Sequence, residues 1–403
     1  MSQYLVPFLP PFVLFGAVHF FEQCSSSGLR RFLAWTVVTA VSLRAIFVPS
    51  SYDNPLANYV IGFFSCWYII WSANVLLVKD LTTLQRIRRQ RQSSPPVHVW
   101  QSLPSSHSWE RVFWALDLTF NFRAVGWNFS NRQSHHPPVT QTHLQAKADP
   151  SETASGPRDL EFSQLLFLGR LVRRLLVSTT WFVGYPYLAR GAVTPMPAVI
   201  KDAWNWAGEQ GLDSLADLLA VATTLYMFMD GIHAVLSLVG VVVLGSEQWR
   251  YPPFFGPVEY LISGRLQDLW GKFWHDLLKE GLLSTAKGAL PWKRPKAPWA
   301  VLRIWACFVL TGAVHASASY VVSREPQPSL YAGVFYCLQP VGILIQMSIA
   351  AALRTLLPRS TVSRVLLKVI AFAVCLGWLY YCFPWVSSDP GLRQAIGAIS
   401  PVI

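Results

Sequence analysis

Eight stretches of the chain consist of about 20 consecutive, largely apolar residues, the length that an α-helix needs to cross the hydrocarbon core of a membrane. Shorter polar segments separate them. This pattern predicts an all-α, polytopic integral membrane protein. The predicted spans are 5–23, 30–48, 57–78, 165–188, 214–244, 299–322, 330–353 and 366–386.

The composition agrees with a membrane protein. Of 403 residues, 52% are hydrophobic and 13% are charged, whereas an ordinary soluble domain has roughly 25% charged residues. This balance excludes a soluble protein whose core is covered by charge. The net charge of +12 would suit a nucleic-acid partner, but no basic stripe lies on a soluble module. The positive charge is therefore interpreted as membrane topology, with lipids and no nucleic acid as partners.

Lys and Arg outside the spans are concentrated on one side of the predicted membrane. If successive spans alternate in direction, the segments 24–29, 79–164, 245–298 and 354–365 share that side. The positive-inside rule makes it cytoplasmic. Both termini then lie on the opposite side, the lumen if the membrane is that of the endoplasmic reticulum. We expect a single membrane-embedded domain over 1–403, in which 245–298 is a cytoplasmic loop that carries sequence motifs.

Three other segments depart from the apolar pattern. Residues 111–129 are apolar and aromatic but contain Arg111, Asp117 and Arg123, which favours an interfacial or re-entrant helix. Residues 92–108 are rich in Ser and Pro, and residues 130–159 are polar. Both indicate exposed, flexible loop, the second on the cytoplasmic side. The histidines of 130–159 have no carboxylate or cysteine at ligand spacing, so no metal site is predicted.

Ionisable side chains inside apolar spans are costly and are therefore candidates for function. Most lie near span ends, and Arg174 is expected to extend from there to the membrane surface. His315 lies about two thirds of the way along its span. Thr311, His315 and Ser319 recur at every fourth position, and this polar stripe should face a protein interior or a cavity. From these residues alone, a structural and a catalytic histidine both remain open.

Residues 266–280 have the periodicity of an amphipathic helix within the 245–298 loop. The apolar face includes Trp270 and Trp274, and the polar face includes Lys272, His275 and Lys279. A helix anchored at the membrane surface by tryptophans would place His275 at the rim of a membrane-embedded cavity.

Asp230 and His233 are three residues apart in the fifth predicted span. One interpretation is that both line the same cavity as His275. An equally good one is a structural hydrogen bond between helices, so the pair ranks second among the candidates.

Several catalytic motifs are missing from the sequence. It contains no G-x-S-x-G, G-x-x-x-x-G-K-[ST] or H-E-x-x-H, and no His is followed by Asp after three or four residues. These absences argue against a serine hydrolase, an ATP-driven pump, a zinc protease and the soluble His-x-x-x-Asp acyltransferases. A neutral histidine in an apolar setting can still act alone, as the base that takes a proton from an alcohol attacking an acyl donor.

Four elements occur in order between about residues 120 and 320. They are residues 123–128 (R-A-V-G-W-N), residues 249–256 (W-R-Y-P-P-F-F-G), residues 269–275 (L-W-G-K-F-W-H) and a small-residue helix that carries His315. With them the chain resembles the wax-synthase-like branch of the membrane-bound O-acyltransferase superfamily, in particular fungal acetyltransferases that modify terpenoids and meroterpenoids. Compared with the family elements R-G-x-G-W and F-W-G-R-R-W-H, Ala124 replaces a Gly and Leu269 replaces a Phe. The acidic residue that often follows the family histidine is absent after His315.

The resemblance implies that His315 is the catalytic histidine and that His275 occupies the partner position. The donor would be an acyl-CoA, most simply acetyl-CoA, and the acceptor a lipophilic alcohol such as a terpenoid. Acyl-CoA is a co-substrate, so no bound cofactor is expected, and no obligate protein partner is evident. We expect substrate contacts from Trp270, Trp274, Lys272, Lys279, Thr311, Ser319, Asp230 and His233, with the two lysines attracting the phosphates of CoA.

Two other functions remain open from the sequence. Within the same class, a long-chain acyl-CoA and a long-chain alcohol or sterol would give a wax or a steryl ester. From another class, a small-molecule transporter would also contain isolated intramembrane His and Asp, but should show broken or repeated helices around a midplane site.

Overall fold

A computed structural model describes residues 6–21, 28–49, 52–90, 97–105, 108–130, 137, 157–189, 213–290, 297–358 and 360–399. The helices of ten or more residues in this part of the chain are α1 (Leu9–His19), α2 (Gly28–Phe47), α3 (Pro55–Ala73), α4 (Trp109–Phe120), α5 (Pro157–Ala189), α6 (Asp213–Leu238), α7 (Lys279–Ala289), α8 (Ala297–Ser323), α9 (Pro326–Leu356), α10 (Thr361–Ser387) and α11 (Pro390–Ile399). Short π-helical turns extend α3 and α6, at Asn74–Val78 and Val239–Val243.

Five helical stretches within the described residues are long and apolar enough to cross a membrane. They are Pro55–Val78, Asp217–Val243, Trp299–Ser323, Pro326–Leu356 and Thr361–Ser387. Each coincides with a predicted span. The other three predicted spans are also helical, but Val6–His19 is short, and α2 contains three arginines. The prediction of an all-α, polytopic membrane protein is confirmed.

Helix α3 shows how local sequence defines a span. Pro55 occupies the first turn, where a missing N–H costs nothing, and the Asn54 side chain accepts a hydrogen bond from the Ala57 N–H at 3.1 Å. This cap satisfies one of the orphan donors at the start of the helix. The apolar run that follows continues without a break through the π-helical turn ending at Val78.

Small residues allow α3, α8 and α9 to pack closely in the centre of the fold. A Cβ atom at Gly62 would lie 2.6 Å from the Ser317 carbonyl oxygen, and one at Gly312 would lie 2.8 Å from the Gly333 carbonyl oxygen. Helix association in membranes depends on such close backbone approach, because lipid provides no hydrophobic drive. The small residues around His315 therefore bring α3 and α9 close to both sides of α8.

The prediction of one amphipathic helix over 266–280 is wrong. A short helical turn at Leu266–Asp268 continues into a π-helical turn at Leu269–Phe273, and the chain is then extended at Trp274, before α7. The Gly256 N–H donates to the Phe273 carbonyl at 2.8 Å, so the turn is tied to the Pro-Pro-Phe-Phe-Gly segment. This hydrogen bond to a residue distant in sequence overrides the local helical periodicity. His275 lies where the helical structure is interrupted.

This motif segment, residues 249–276, is attached to the spans. The buried Gln346 side chain of α9 accepts from the Leu266 N–H at 2.9 Å and donates to the Gly264 carbonyl at 2.8 Å. Gly264 has φ +66°, and a Cβ there would lie 2.6 Å from the Phe372 backbone of α10. Part of the predicted loop thus packs directly against two membrane-spanning helices.

The prediction of exposed loop over 92–108 is wrong for Val97–Ser102. This strand (β2) pairs antiparallel with Gln85–Gln90 (β1), with Ile87 opposite Trp100. Polar residues on both sides of the buried Ile87 are compatible with a strand. The signal is weak, because the strands have only six residues and lie beside a Ser-Pro-rich sequence. The predicted loop over 130–159 lies mostly outside the described residues and stays a prediction, although its last residues, 157–159, belong to α5.

The predicted helix over 111–129 is present as α4, followed by a turn over 121–130. Arg111 is buried and donates to the carbonyls of His19 at 2.6 Å, of Pro104 at 2.9 Å, and of Phe21. Carbonyls at the end of a helix need such external donors. Arg111 therefore joins α4 to the end of α1.

Candidate active site

His315 lies on α8 and faces a group of aromatic side chains. Its Nδ1 atom is 2.8 Å from the Tyr59 hydroxyl on α3. The Tyr336 ring of α9 stacks on the imidazole at 4.4 Å between ring centroids, and Phe63 meets it edge-on at 5.3 Å. The imidazole is only partly buried, so it is held on several sides while part of its surface stays accessible.

The bond to Tyr59 determines what His315 can do. A neutral imidazole has one N–H and one lone pair. If Nδ1 carries the proton and donates to the Tyr59 oxygen, Nε2 keeps the lone pair and can accept a proton. The hydroxyl can therefore orient the ring for base chemistry, although the residue directly after His315 is an alanine and not an acid.

His275 lies in the break between the π-helical turn and α7. Its ring stacks on Phe254 at 5.5 Å, and Trp274 lies beside it at 5.6 Å. Loss of water around the ring lowers the pKa of His275 to about 4, with Arg123 acting in the same direction and Asp276 opposing it. His275 is therefore neutral at pH 7 and keeps one N–H donor.

The two histidines that the sequence singled out are connected by ring contacts through Tyr336, Trp270 and Trp274. The Nδ1 atom of His275 is buried and has no hydrogen-bond partner among the described residues. A buried polar atom without a partner costs stability. A substrate that binds at this site could supply the missing hydrogen-bond partner of His275.

The two candidate tryptophans line this region. Trp270 donates from Nε1 to the buried Gln339 Oε1 atom at 3.2 Å, and its ring meets that of Tyr336 at 6.1 Å. Tyr336 in turn stacks on His315. Trp274 lies between Trp270, at 6.0 Å, and His275. The aromatic surface thus runs continuously from one histidine to the other.

Arg123 connects the motif segments behind His275. Its Nε atom is 2.8 Å from the Asp276 carboxylate, and its Nη atoms donate to the Pro252 and Pro253 carbonyls at 3.0 and 2.8 Å. The guanidinium also contacts the Phe254 ring, at 5.6 Å. Arg123 thereby holds Asp276, the next residue in sequence after His275, and Phe254, whose ring stacks on His275.

Asp230 and His233 belong to a neighbouring ionic cluster. Asp230 accepts from the Arg174 Nε atom at 2.7 Å, and His233 lies 3.2 Å from Arg123 and 3.3 Å from Arg174. The expectation that Arg174 extends to the membrane surface is therefore wrong, because its guanidinium is held by a carboxylate inside the bundle. His233 approaches the other candidates through Phe254, whose ring lies 5.3 Å away.

The other polar residues of the stripe on α8 are engaged by protein groups. The Thr311 hydroxyl donates to the Cys307 carbonyl of its own helix at 2.8 Å. Ser319 is buried and donates to the Asp389 carboxylate, which also accepts from the Leu392 N–H and so caps α11. Both hydroxyls therefore already have partners other than a substrate.

Lys272 and Lys279 do not share a helix face with His275, because the chain breaks at Trp274. Lys272 pairs with Asp268 at 2.9 Å and lies over the Tyr260 ring. Lys279 donates to the Gly271 carbonyl. Both ammonium groups thus stabilise the motif segment itself.

Comparisons with known proteins show which proteins the chain is similar to. Residues 251–338, which include both histidines, match the model described as the membrane bound O-acyl transferase family. The part of the chain that contains both histidines is therefore similar to this family. Acetyltransferase aurG of Calcarisporium arbuscula is 25% identical over 67% of this chain and 67% of its own length. Acetyltransferase pyr8 of Aspergillus fumigatus is 24% identical over 92% of this chain and 82% of its own length. No solved structure matches the chain significantly.

These comparisons confirm the family resemblance seen in the sequence, and with it acyl transfer as the class of reaction. Sequence reasoning missed Tyr59, Tyr336 and Gln339, because nothing in an apolar span marks which side chain meets a histidine of another helix. Arg123 was visible as a charge within residues 111–129 and as the first residue of a motif, but its role was not predicted. The available signal in the sequence is Gly126 three residues later, because glycine readily adopts the positive φ of +81° that this turn requires.

Proposed function

We propose that this enzyme transfers the acetyl group of acetyl-CoA to a hydroxyl of a lipophilic secondary metabolite, of the terpenoid or meroterpenoid class. The observation that carries the proposal is His315, held through Nδ1 by Tyr59 and connected to the neutral His275 through aromatic rings. The name acetyltransferase of the relatives supports acetyl as the transferred group.

In the proposed reaction, His315 acts as general base. Its Nε2 atom takes the proton of the acceptor hydroxyl while the hydroxyl oxygen attacks the thioester carbonyl carbon. An N–H of His275 donates to the carbonyl oxygen as negative charge develops there, which stabilises the tetrahedral intermediate. The carbon–sulfur bond then breaks, the ester leaves, and the CoA thiolate takes the proton back from His315. These steps use no metal or bound cofactor.

The surroundings of His315 suit an apolar acceptor. Tyr59, Phe63, Tyr336 and Trp270 present aromatic surface around the imidazole or behind it. An apolar alcohol dissolves in the bilayer, whereas CoA remains in water. A site between membrane-spanning helices and the motif segment is within reach of both, with CoA entering from the cytoplasmic side of the endoplasmic reticulum.

Purified protein incubated with acetyl-CoA and a panel of lipophilic alcohols tests this function. Free CoA is quantified with a thiol reagent, and the ester is identified by mass spectrometry. The proposal expects acetyl ester in amounts equal to the CoA released. Transfer from long-chain acyl-CoA at a higher kcat/KM than from acetyl-CoA would overturn the assignment of the donor, and CoA release without any ester would overturn the acceptor.

A further inference from the structure

A groove outside the aromatic site is lined by four arginines. It lies between strand β1 and the segment that leaves the membrane after α6, and it has a volume of about 340 Å³. Arg86, Arg88 and Arg89 come from β1, and Arg250 comes from the opposite wall. Two parts of the chain that follow different spans thus bring their positive charges to one cavity.

Carboxylates neutralise only part of this charge. Arg88 pairs with Glu110 at 2.7 Å, and Arg86 is 3.8 Å from Asp117. Glu247, which also lines the groove, is held by His98 at 2.9 Å and by the Trp249 Nε1 atom at 3.1 Å.

Arg89 and Arg250 form no ion pair with a carboxylate of the described residues. Arg250 lies over the Trp249 ring and reaches the Ile87 carbonyl at 3.4 Å. Burial lowers the pKa of Arg86, Asp117 raises it, and the charges of Arg250 and Arg88 lower it again. Mutual repulsion among guanidinium groups is relieved when an anion with several charges binds between them.

One short piece of chain connects the groove to the histidines. Arg250 lines the groove, and Phe254, four residues later, stacks on His275. Four residues of extended chain span at most about 14 Å. Arg123 holds the intervening carbonyls of Pro252 and Pro253, so the path from the groove to His275 is fixed by protein contacts.

We propose that this arginine groove binds the phosphate groups of the acyl-CoA donor, while its pantetheine arm follows residues 251–254 and delivers the thioester to His275. The inference rests on the proposed function, since acyl-CoA is the donor there. It replaces the expectation that Lys272 and Lys279 attract the phosphates, because both lysines are occupied within the motif segment. The recognised chemistry is a cluster of phosphates, which an anionic lipid headgroup also offers.

The test uses the double variant Arg89→Gln/Arg250→Gln and two donors. Acetyl-CoA carries the phosphates, and S-acetylpantetheine has the same thioester arm without them. The KM for acetyl-CoA should rise at least about tenfold, since charge-assisted bonds to phosphate are among the stronger hydrogen bonds. The kcat/KM for S-acetylpantetheine and the KM for the alcohol should stay unchanged. Arg354→Gln/Arg364→Gln makes the same change of charge on the same predicted side, at the end of α9 and the start of α10. This variant is the control and should behave as wild type.

Two kinetic results would overturn the inference: an unchanged KM for acetyl-CoA, or an equal loss with both donors. A third contrary result is a defect that depends on the anionic lipid content of the vesicles and not on the donor, which would assign the groove to lipid headgroups. If no donor supports acyl transfer, the proposed function fails separately. Binding of radiolabelled CoA to wild type and to both double variants then still decides whether the groove binds it.

Discussion

At the scale of single residues, the proposed mechanism depends on Tyr59, whose contact with Nδ1 of His315 leaves Nε2 for the substrate. Tyr59→Phe removes only the hydroxyl that lies 2.8 Å from Nδ1. We expect kcat to fall about 10–100-fold with little change in either KM, because the base is still present but less well oriented. Tyr68→Phe, a buried tyrosine on the same helix, is the control and should keep the wild-type kcat. Equal kcat in all three proteins would contradict the positioning role.

The lowered pKa of His275 predicts a pH dependence of stability. Its pKa is about 4 in the folded protein, against roughly 6.5 for an exposed histidine. Between these values the unfolded chain binds a proton that the folded protein does not. The contribution of His275 to the free energy of unfolding is therefore fully present above about pH 6.5. It is lost as the pH is lowered toward 4.

His275→Asn has no titrating group at this position and should lose less stability over the same window. The unfolding midpoints of both proteins, followed by tryptophan fluorescence in detergent at about pH 7 and pH 4.5, measure the difference. An equal decrease in both midpoints would show that His275 is not held neutral. In the acetyl-transfer assay, His275→Asn should also keep more activity than His275→Ala, because the Asn amide can still donate to the carbonyl oxygen.

At the scale of elements, the turn over residues 123–128 positions Arg123. It pairs with β1 through the Ile87 N–H and the Gly126 carbonyl at 2.7 Å. Gly126 has φ +81°, and a Cβ there would lie 3.0 Å from the Trp249 ring. Gly126→Ala should destabilise the protein by about 1–2 kcal/mol, the typical cost of left-handed backbone for a residue with a Cβ. Gly169→Ala, on α5 with open space around it, should be neutral or slightly stabilising.

Thermal unfolding of these two variants in detergent measures the effect. A Gly126→Ala midpoint equal to that of wild type would contradict the strain assigned to this turn. Ala124 already tolerates φ +50° where family motifs have Gly, so the chain carries part of this strain in its natural sequence.

The elements differ in how far the sequence predicts them. Long apolar runs predict membrane helices, because a spanning segment must satisfy its backbone internally. The break at Trp274 could not be predicted in this way, since it depends on Gly256 and Gln346, which are distant in sequence. For the same reason, His315 and His275 were found from their own surroundings, whereas Tyr59 and the arginine groove emerge only when separate elements meet.

At the scale of the whole molecule, the membrane spans surround a site that the motif segment completes. The Gln346 side chain of α9 donates to the Gly264 carbonyl of this segment and to the Ala371 carbonyl of α10, both at 2.8 Å. It thereby attaches the segment to both helices. The segment therefore forms one wall of the site and also leads outward to the arginine groove. In the proposed reaction, this arrangement would give an apolar acceptor and a highly charged donor separate routes to the same two histidines.

The side of the membrane from which the donor enters is testable. Glu259 is exposed at the edge of the motif segment, and Glu259→Cys in a background without other cysteines offers one labelling position. A membrane-impermeant maleimide should label it in sealed vesicles whose cytoplasmic face points outward. Labelling only after the vesicles are opened would place the segment on the lumenal side and contradict cytoplasmic entry of CoA.

The central claim is that His315 is the base for acetyl transfer. The most direct measurement compares kcat for ester formation from acetyl-CoA in purified wild type and His315→Ala, with matched elution volumes and tryptophan fluorescence as evidence of folding. Loss of a positioned base typically lowers the rate about 10²–10⁴-fold, and we predict a loss in this range. A folded His315→Ala protein that keeps a kcat near that of wild type would contradict the mechanism.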